Sequence, residues 1–206
     1  MASYHAIAVI SQAILGMLAE AAPRPEFEGS QFELYLARDF QNPMEEGVSL
    51  YLYRVGTSSR RNLPSRLGPS GERYRPPVPI DLYYLLTTWA RTSAKQQRLL
   101  GWCIRELANT PILPAGLLNH YGPEPETFRP EEAVEFVFEP LSLQDIASLW
   151  EPLKPHLQVS ASYVARMVTI ESYVTVPDAV AVQTRQFDFA NEVGDGAADP
   201  GRNHTA

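Results

Sequence analysis

Cysteine is almost absent from this chain of 206 residues, in which Cys103 is the only one. An intramolecular disulfide is therefore excluded, and so is a metal site built from several cysteines. Histidine is scarce too, and none of the four histidines stands in a metal-ligand spacing such as H-E-x-x-H. They are His5, His120, His156 and His204. The sequence thus predicts no metal site.

Excess positive charge is missing as well. The formal net charge is −7, which argues against general nucleic-acid binding because phosphate groups need a basic surface. No stretch reaches the roughly 18–20 apolar residues that a membrane-spanning helix requires. The apolar run at residues 7–18 follows a start without Lys or Arg, so it lacks the basic segment of a secretory signal. Neither a nucleic-acid partner nor direct membrane insertion is expected.

The chain does contain alternating helical and strand patterns, with 45% hydrophobic residues to build a core. The predicted helices cover residues 3–22, 94–109 and 143–153. The predicted strands cover residues 31–37, 48–55, 78–90, 133–139 and 160–176, the last as one strand or a bent pair. This order predicts an α+β domain with a mixed, mainly antiparallel sheet flanked by helices.

Three of these elements carry more detailed predictions. Residues 78–90 are apolar on both faces at their middle, which is typical of a central strand. Ser93 is the expected N-cap of the second helix. Helical spacing predicts that this helix buries Leu100, Cys103, Ile104 and Leu107. Alternation in residues 133–139 predicts one strand face formed by Val134, Phe136 and Phe138.

The predicted domain covers residues 1–176, and residues 177–206 form a C-terminal extension. Within the domain, residues 118–129 show no period and are predicted to be irregular. The extension turns polar after Pro177, and its end, residues 194–206, is predicted to be disordered.

Arrangements that support catalysis are not found. Cys103 lies in an apolar helical pattern, where cysteine is a small buried hydrophobe rather than an activated nucleophile. Glu135 and Glu139 are four residues apart on a predicted strand, roughly 13 Å at about 3.3 Å per residue, too far for a glycosidase pair. We therefore predict no catalytic, cofactor-binding or metal-binding residues and no enzyme. A hydrolase that uses scattered Ser, His and Glu residues is the weakest alternative.

The charges are unevenly placed along the chain. Residues 54–75 contain six arginines, no lysine and one glutamate, a net charge of +5. Residues 124–151 contain eight acidic residues and one arginine, a net charge of −7. Arginine forms bidentate pairs with carboxylates and is enriched in protein interfaces. A basic loop and an acidic surface on one chain suit a ring in which each subunit presents different patches to its two neighbours.

Six segments occur in an order that resembles a known family. They are LYLYRV (50–55), RNLPSR (61–66), PPVPIDLYYLLTTWA (76–90), QQRLLGWCIRELANTPIL (96–113), EPLSLQDIASLWEPL (139–153) and SASYVARMVTIES (160–172). The chain resembles the N-terminal domain of the cap, or tail-terminator, proteins of phage-tail-like extracellular contractile injection systems. None of the six segments carries catalytic chemistry.

The resemblance implies a tail-terminator-like fold and a structural role. Such proteins form a ring, expected to be hexameric, that closes the distal end of the inner tube and sheath and ends tube growth. The expected partners are further copies of the chain and the tube and sheath proteins. Assembly is expected in the cytoplasm, as part of a particle that is either released or attached to a membrane. No cofactor is implied.

Arginines are the best candidates for contacts between subunits. In the helix at residues 94–109, Arg98 is a cation near the N-terminal half, which the helix dipole disfavours, and an external carboxylate would explain it. The predicted interface residues are Arg54, Arg60, Arg61, Asn62, Arg66, Arg75, Arg98 and Arg105. The alternative is a non-enzymatic adaptor that attaches the particle to a partner or a membrane. The polar C-terminal extension suggests this alternative.

Overall fold

The computed structural model describes residues 3–58, 63–68, 70–122, 126–153 and 157–177. The chain divides into two units, Met1–Val176 and Pro177–Ala206. Of the second unit only Pro177 is described, so the predicted disorder of residues 194–206 lies outside the described residues. The described helices and strands all lie in the first unit.

The centre of the first unit is a six-stranded sheet with the order β1-β2-β4-β7-β6-β5, beside a two-stranded pair of β3 and β8. The strands are β1 Gln31–Leu34, β2 Gly47–Thr57, β3 Arg73–Tyr74, β4 Val78–Trp89, β5 Ile112–Pro114, β6 Ala133–Phe138, β7 Ser160–Ile170 and β8 Thr175–Val176. β1 is parallel to β2, and the other pairs are antiparallel. The predicted mixed, mainly antiparallel sheet is confirmed, and β4 is central as predicted.

Four α-helices accompany the sheet. They are α1 Ala6–Ala21, α2 Ser93–Asn109, α3 Ala115–Tyr121 and α4 Leu143–Trp150, with short 3₁₀ turns at Ala37–Gln41 and Glu151–Leu153. The three predicted helices are confirmed. β5 and α3 were not predicted, and the irregular segment expected from Leu118 onward begins inside α3. A helix of seven residues is too short to show a period; burial of Leu118 holds it in place.

The main hydrophobic core lies between one face of the sheet and α1, α2 and α3. Alternate residues of β4, namely Leu82, Tyr84 and Leu86, point into it and are fully buried. The Tyr84 hydroxyl forms a hydrogen bond of 2.8 Å with Ser11 Oγ on α1. This pairing satisfies the buried hydroxyl group and fixes α1 over the middle of the sheet.

The buried face of α2 differs from the predicted one. Leu99, Cys103 and Leu107 are buried, whereas Leu100 is half-buried and Ile104 is 38% exposed. The buried residues of α2 follow one another at a spacing of four, starting from Leu99. The predicted full burial of Leu100 and Ile104 was therefore wrong. The N-cap is also shifted: the Thr92 hydroxyl accepts a hydrogen bond from Lys95 N, and Ser93 is the first helical residue.

The edges of the sheet add detail to two predictions. Val134, Phe136 and Phe138 were predicted to share one face of β6; Val134 and Phe136 are buried, whereas Phe138 is 52% exposed because β5 ends before reaching it. Residues 160–176, predicted as one strand or a bent pair, form two strands, β7 and β8, with β8 paired to β3 instead of continuing the large sheet.

The second face of the sheet is covered only in part by described residues. α4 and the two 3₁₀ turns pack over β2 and β4 through a second cluster. This cluster contains Tyr35, Phe40, Leu85, Trp89, Trp150 and Leu153. The rest of this face, over the first half of β4 and over β7 and β6, carries Asp81, Tyr83, Glu135 and Arg166, all exposed or half-buried. We call this region the open face.

Candidate subunit interface

Arg54 lies at an irregularity of β2, where the pairing with β4 shifts between Leu52 and Arg54. The shift turns Arg54 towards Tyr83 on the open face, with the guanidinium carbon 4.8 Å from the ring centre. A cation over an aromatic ring gains about 0.5–1 kcal/mol at an exposed site. Arg54 is thus exposed but held in a defined direction, as an interface arginine should be.

A cleft of about 470 Å³ separates the open face from α4. Tyr53, Arg54, Tyr83, Glu139 and Asp145 are among the residues that line it. The Tyr53 hydroxyl lies 3.2 Å from Ser162 Oγ, and burial raises the pKa of Tyr53, which keeps its proton available for hydrogen bonding. The cleft offers charges, hydroxyl groups and aromatic surface, which are the means of contact between proteins.

The acidic segment is partly neutralised within the chain. Arg166 on β7 lies 2.9 Å from a carboxylate oxygen of Glu139 and 3.9 Å from one of Glu135. Sequence reasoning missed Arg166, because its pairing with Glu135 depends on the register of β6 and β7. Since Arg54 and Glu139 line one cleft, the basic and acidic segments meet at the open face and are not separate surfaces.

Arg66 has partners within its own chain. Its guanidinium group lies 4.5 Å from the ring centre of Tyr74, and Nε is 3.5 Å from a carboxylate oxygen of Glu171. Arg129 reaches the same Glu171 oxygen, also at 3.5 Å. The Glu171 side chain is only 6% exposed, so the two arginines stabilise a nearly buried charge.

We expect Arg66→Ala to lower the free energy of unfolding by roughly 1–2 kcal/mol, less than for a buried pair that loses its only partner, because Arg129 remains. Urea denaturation followed by circular dichroism measures the change. Arg75→Ala is the control, since the Arg75 side chain is exposed. Its hydrogen bond to Val174 O is donated by the backbone N–H, which alanine keeps. Equal stability of the two variants would contradict the structural role of Arg66.

The remaining predicted arginines lie apart from Arg54. Arg98 donates a hydrogen bond of 2.7 Å to Glu26, so a carboxylate of the same chain stands where an external one was expected. Arg105 is exposed on α2, on the other side of the sheet from Arg54. The three predicted residues Arg60, Arg61 and Asn62 lie outside the described residues. The described arginines therefore form no single patch.

Cys103 lies on the buried face of α2 and is fully buried, and burial raises the pKa of its thiol to about 12. We expect native protein to react with a thiol reagent only when it unfolds, as measured by labelling in increasing urea. The folded thiol keeps its proton to a higher pH than the unfolded one, whose ordinary pKa is 9.0. Its contribution to stability is therefore complete below pH 9 and decreases above it. Fast labelling of native protein near pH 8 would contradict the burial.

Within the described ranges, no group of three or more His, Cys, Asp or Glu side chains could hold a metal ion. In the same part of the chain, no helix combines the length and the apolar character needed to cross a membrane.

A known protein family matches this chain along most of its length. The family is described as the Pvc16 N-terminal domain, and the match covers residues 10–184. The chain belongs to this family. A comparison with curated proteins finds no match. The membership confirms the resemblance drawn from the six sequence segments.

Two solved structures share the fold. One is a cryo-EM structure described as the PVC sheath/tube terminator, in the extended state, of an extracellular contractile injection system; its TM-score is 0.57 at 16% identity, over 90% of this chain and 64% of that one. The other is described as the tube-terminating cap of the anti-feeding prophage, with a TM-score of 0.55 at 13% identity, over 87% of this chain and 60% of that one. The chain thus spans less than two thirds of either. The tail-terminator-like fold is confirmed.

Proposed function

We propose that this protein is the cap of a contractile injection system, a ring that closes the distal end of the inner tube and sheath. The observation that carries the proposal is the match to a sheath/tube terminator over 90% of the chain, together with the family. A structural role without catalysis follows from it. The resemblance to cap proteins implies that the ring is hexameric.

A cap must bind the last tube ring on one side and offer no surface for a further ring on the other. This is a problem of specificity, in which one face matches and the opposite face repels. The two sides of the protein differ, which supports such a division of roles. One side of the sheet is covered by α1, α2 and α3, whereas the other combines α4 with the charged open face.

Loss of the protein tests the role. In a producing strain that lacks the gene, we expect tubes of irregular length or unstable particles, as seen by negative-stain electron microscopy. Reintroducing the gene should restore a uniform length. Particles of normal, uniform length without the gene would overturn the proposed function. The same images also test the adaptor alternative, which predicts that particles without this protein no longer attach to membranes.

We further propose that arginines of residues 54–75 contact neighbouring subunits. Arg54 and Arg75 are exposed, and Arg61 belongs to the same basic segment. Arg66 is less suitable for a test because of its contacts with Tyr74 and Glu171.

We expect Arg61→Glu combined with Arg75→Glu to leave the circular dichroism spectrum unchanged and to weaken ring formation in native mass spectrometry. The reason is that like charges then face the acidic surface of the neighbour. Arg24→Glu combined with Arg91→Glu makes the same change in net charge outside this segment. If both double variants form rings like the wild type, the arginine contacts are disproved.

A further inference from the structure

The first strand of the six-stranded sheet leaves its outer edge without a partner strand among the described residues. On β1, Gln31 N donates to Glu46 O at 3.1 Å, and beyond its end Tyr35 N donates to Leu50 O at 3.0 Å. Alternate residues of a strand direct their backbone groups to opposite sides. Phe32 and Leu34 therefore point their N–H and C=O groups towards the free edge.

On the other side of the sheet the end strand, β5, covers only part of β6, and the rest of the β6 edge has no partner strand among the residues that the structure describes. β5 pairs with β6 only as far as Ile112 opposite Glu135, and Phe136 N donates to Pro111 O at 2.8 Å. Glu139 N donates inward, to Ser162 O on β7, at 2.9 Å. The backbone groups of Phe138 therefore face outward, beyond the point where β5 stops.

An apolar groove accompanies each free edge, and both grooves lie on the helix-covered side of the sheet. The groove at β1, about 350 Å³, is lined by Gln12, Leu15, Gly16, Ala19, Phe32 and Leu34. The groove at β6, about 240 Å³, includes Ile104, Ala108, Pro111, Phe138 and Tyr163 in its lining. Apolar side chains stand exposed at both edges, with Leu34 at 43% and Phe138 at 52%.

Charges of opposite sign flank the two grooves. Glu20 is exposed on α1, directly after Ala19 of the first groove, and accepts a hydrogen bond from the Tyr121 hydroxyl. Arg105 is exposed on α2, directly after Ile104 of the second groove. If the sheets of two copies were joined edge to edge, α1 of one copy would lie beside α2 of the next. Glu20 of one copy would then face Arg105 of the next.

We propose that β1 of one copy adds to the free edge of β6 on the next copy, and that this pairing closes the ring. Adding a strand to a sheet edge satisfies the outward backbone groups, and the neighbouring groove receives the exposed apolar side chains. The two free edges, on β1 and on the part of β6 beyond β5, lie on opposite sides of one sheet, so a second copy is the partner that fits both. Such head-to-tail contacts form rings when the rotation between copies closes. This inference rests on the proposed function, because it names the contact of the proposed ring.

Two edge variants test the pairing. Leu34→Lys and Phe138→Lys each place a charge in one groove, and edge lysines are a common means by which proteins block strand pairing. Both side chains are exposed, so both variants should fold, which circular dichroism checks. Each variant alone should remain a monomer in native mass spectrometry at concentrations where the wild type forms rings, with self-association weakened by about tenfold or more.

A mixture of the two variants gives the sharper result. Leu34→Lys chains keep an intact β6 edge, and Phe138→Lys chains keep an intact β1 edge. Because only one joint between them is unharmed, the mixture should form a 1:1 dimer and grow no further. Leu157→Lys, at an exposed leucine between α4 and β7, is the control and should form rings like the wild type. Glu20→Arg and Arg105→Glu should each weaken the ring, and together they should restore it.

The outcomes separate the two proposals. If the wild type neither forms rings nor restores uniform particle length in the deletion strain, the proposed function is overturned. If the wild type does either and both lysine variants do so equally well, the edge pairing is overturned. Rings of unchanged mass from the mixture would also overturn it, because they need a contact elsewhere. A 1:1 dimer supports it.

Discussion

Replacing Phe40 by alanine should lower the free energy of unfolding by about 3–5 kcal/mol. Phe40 is fully buried in the second cluster. Its ring centre lies 5.2–6.2 Å from four other aromatic ring centres. Those rings belong to Tyr35, Tyr51, Trp89 and Trp150.

The loss of stability combines the cost of the cavity left by the ring with the loss of its contacts to the four neighbouring rings. Urea denaturation followed by tryptophan fluorescence measures it, since Trp89 and Trp150 report on the cluster. Tyr173→Ala is the control: its side chain is exposed, and a change within about 0.5 kcal/mol is expected. A loss below about 1 kcal/mol for Phe40→Ala would show that α4 does not pack as described.

Gly47→Ala is the second prediction, with an expected loss of about 3 kcal/mol. Gly47 opens β2 with φ of +149°, in a region that residues with a side chain rarely adopt. A Cβ atom there would lie 2.0 Å from Gln31 O and 2.6 Å from Met44 Sδ. Gln31 is the residue with which β1 begins its pairing to β2, so the clash displaces the backbone of β1 itself.

The same substitution at Gly101 is the matched control. A Cβ atom at Gly101 meets no atom within 4 Å, because the residue lies on the exposed side of α2. Alanine favours a helix interior over glycine by about 1 kcal/mol, so Gly101→Ala should stabilise the protein. Thermal and urea denaturation of both variants should give shifts of opposite sign. Shifts of the same sign would contradict the close approach of β1 and β2 at Gly47.

Long, strongly patterned elements could be predicted from the sequence. β4 is twelve residues of apolar and β-branched or aromatic character, and α1 repeats apolar residues at helical spacing. These patterns are local in the sequence, so they can be recognised without knowing which elements pack together. β5 and α3 could not be predicted in this way, because three and seven residues are too few to show a period. Tertiary contacts hold them: Asn119 bonds both the N–H and the C=O of Phe128.

The phase of an amphipathic helix is a weaker prediction than its existence. In α2 both Leu99 and Leu100 fit an apolar stripe, and packing against the sheet selected Leu99. Strand pairing is harder still. Nothing local in the sequence indicates that β1 is parallel to β2, or that Arg166 stands opposite Glu135.

The candidate interface was predicted from charge density, which gives no positions in space. The predicted arginines that the structure describes are all exposed or half-buried, but Arg66 and Arg98 have acidic partners in their own chain. The two sheet edges had no sequence signal beyond short strands with apolar residues. A free edge is defined by what does not pair with it, and only the whole topology shows that.

The position of β4 has a consequence for how the chain is made. β4 pairs with β7, and the pairing of Tyr84 with Tyr163 joins residues separated by nearly half the length of the domain. Contacts between residues so distant in sequence are slow to form, because a long loop must close first. During synthesis β4 waits with one edge unpaired until β7 has left the ribosome, and an unpaired strand edge invites aggregation. Nascent chains that stall before Ser160 should therefore depend most on chaperones.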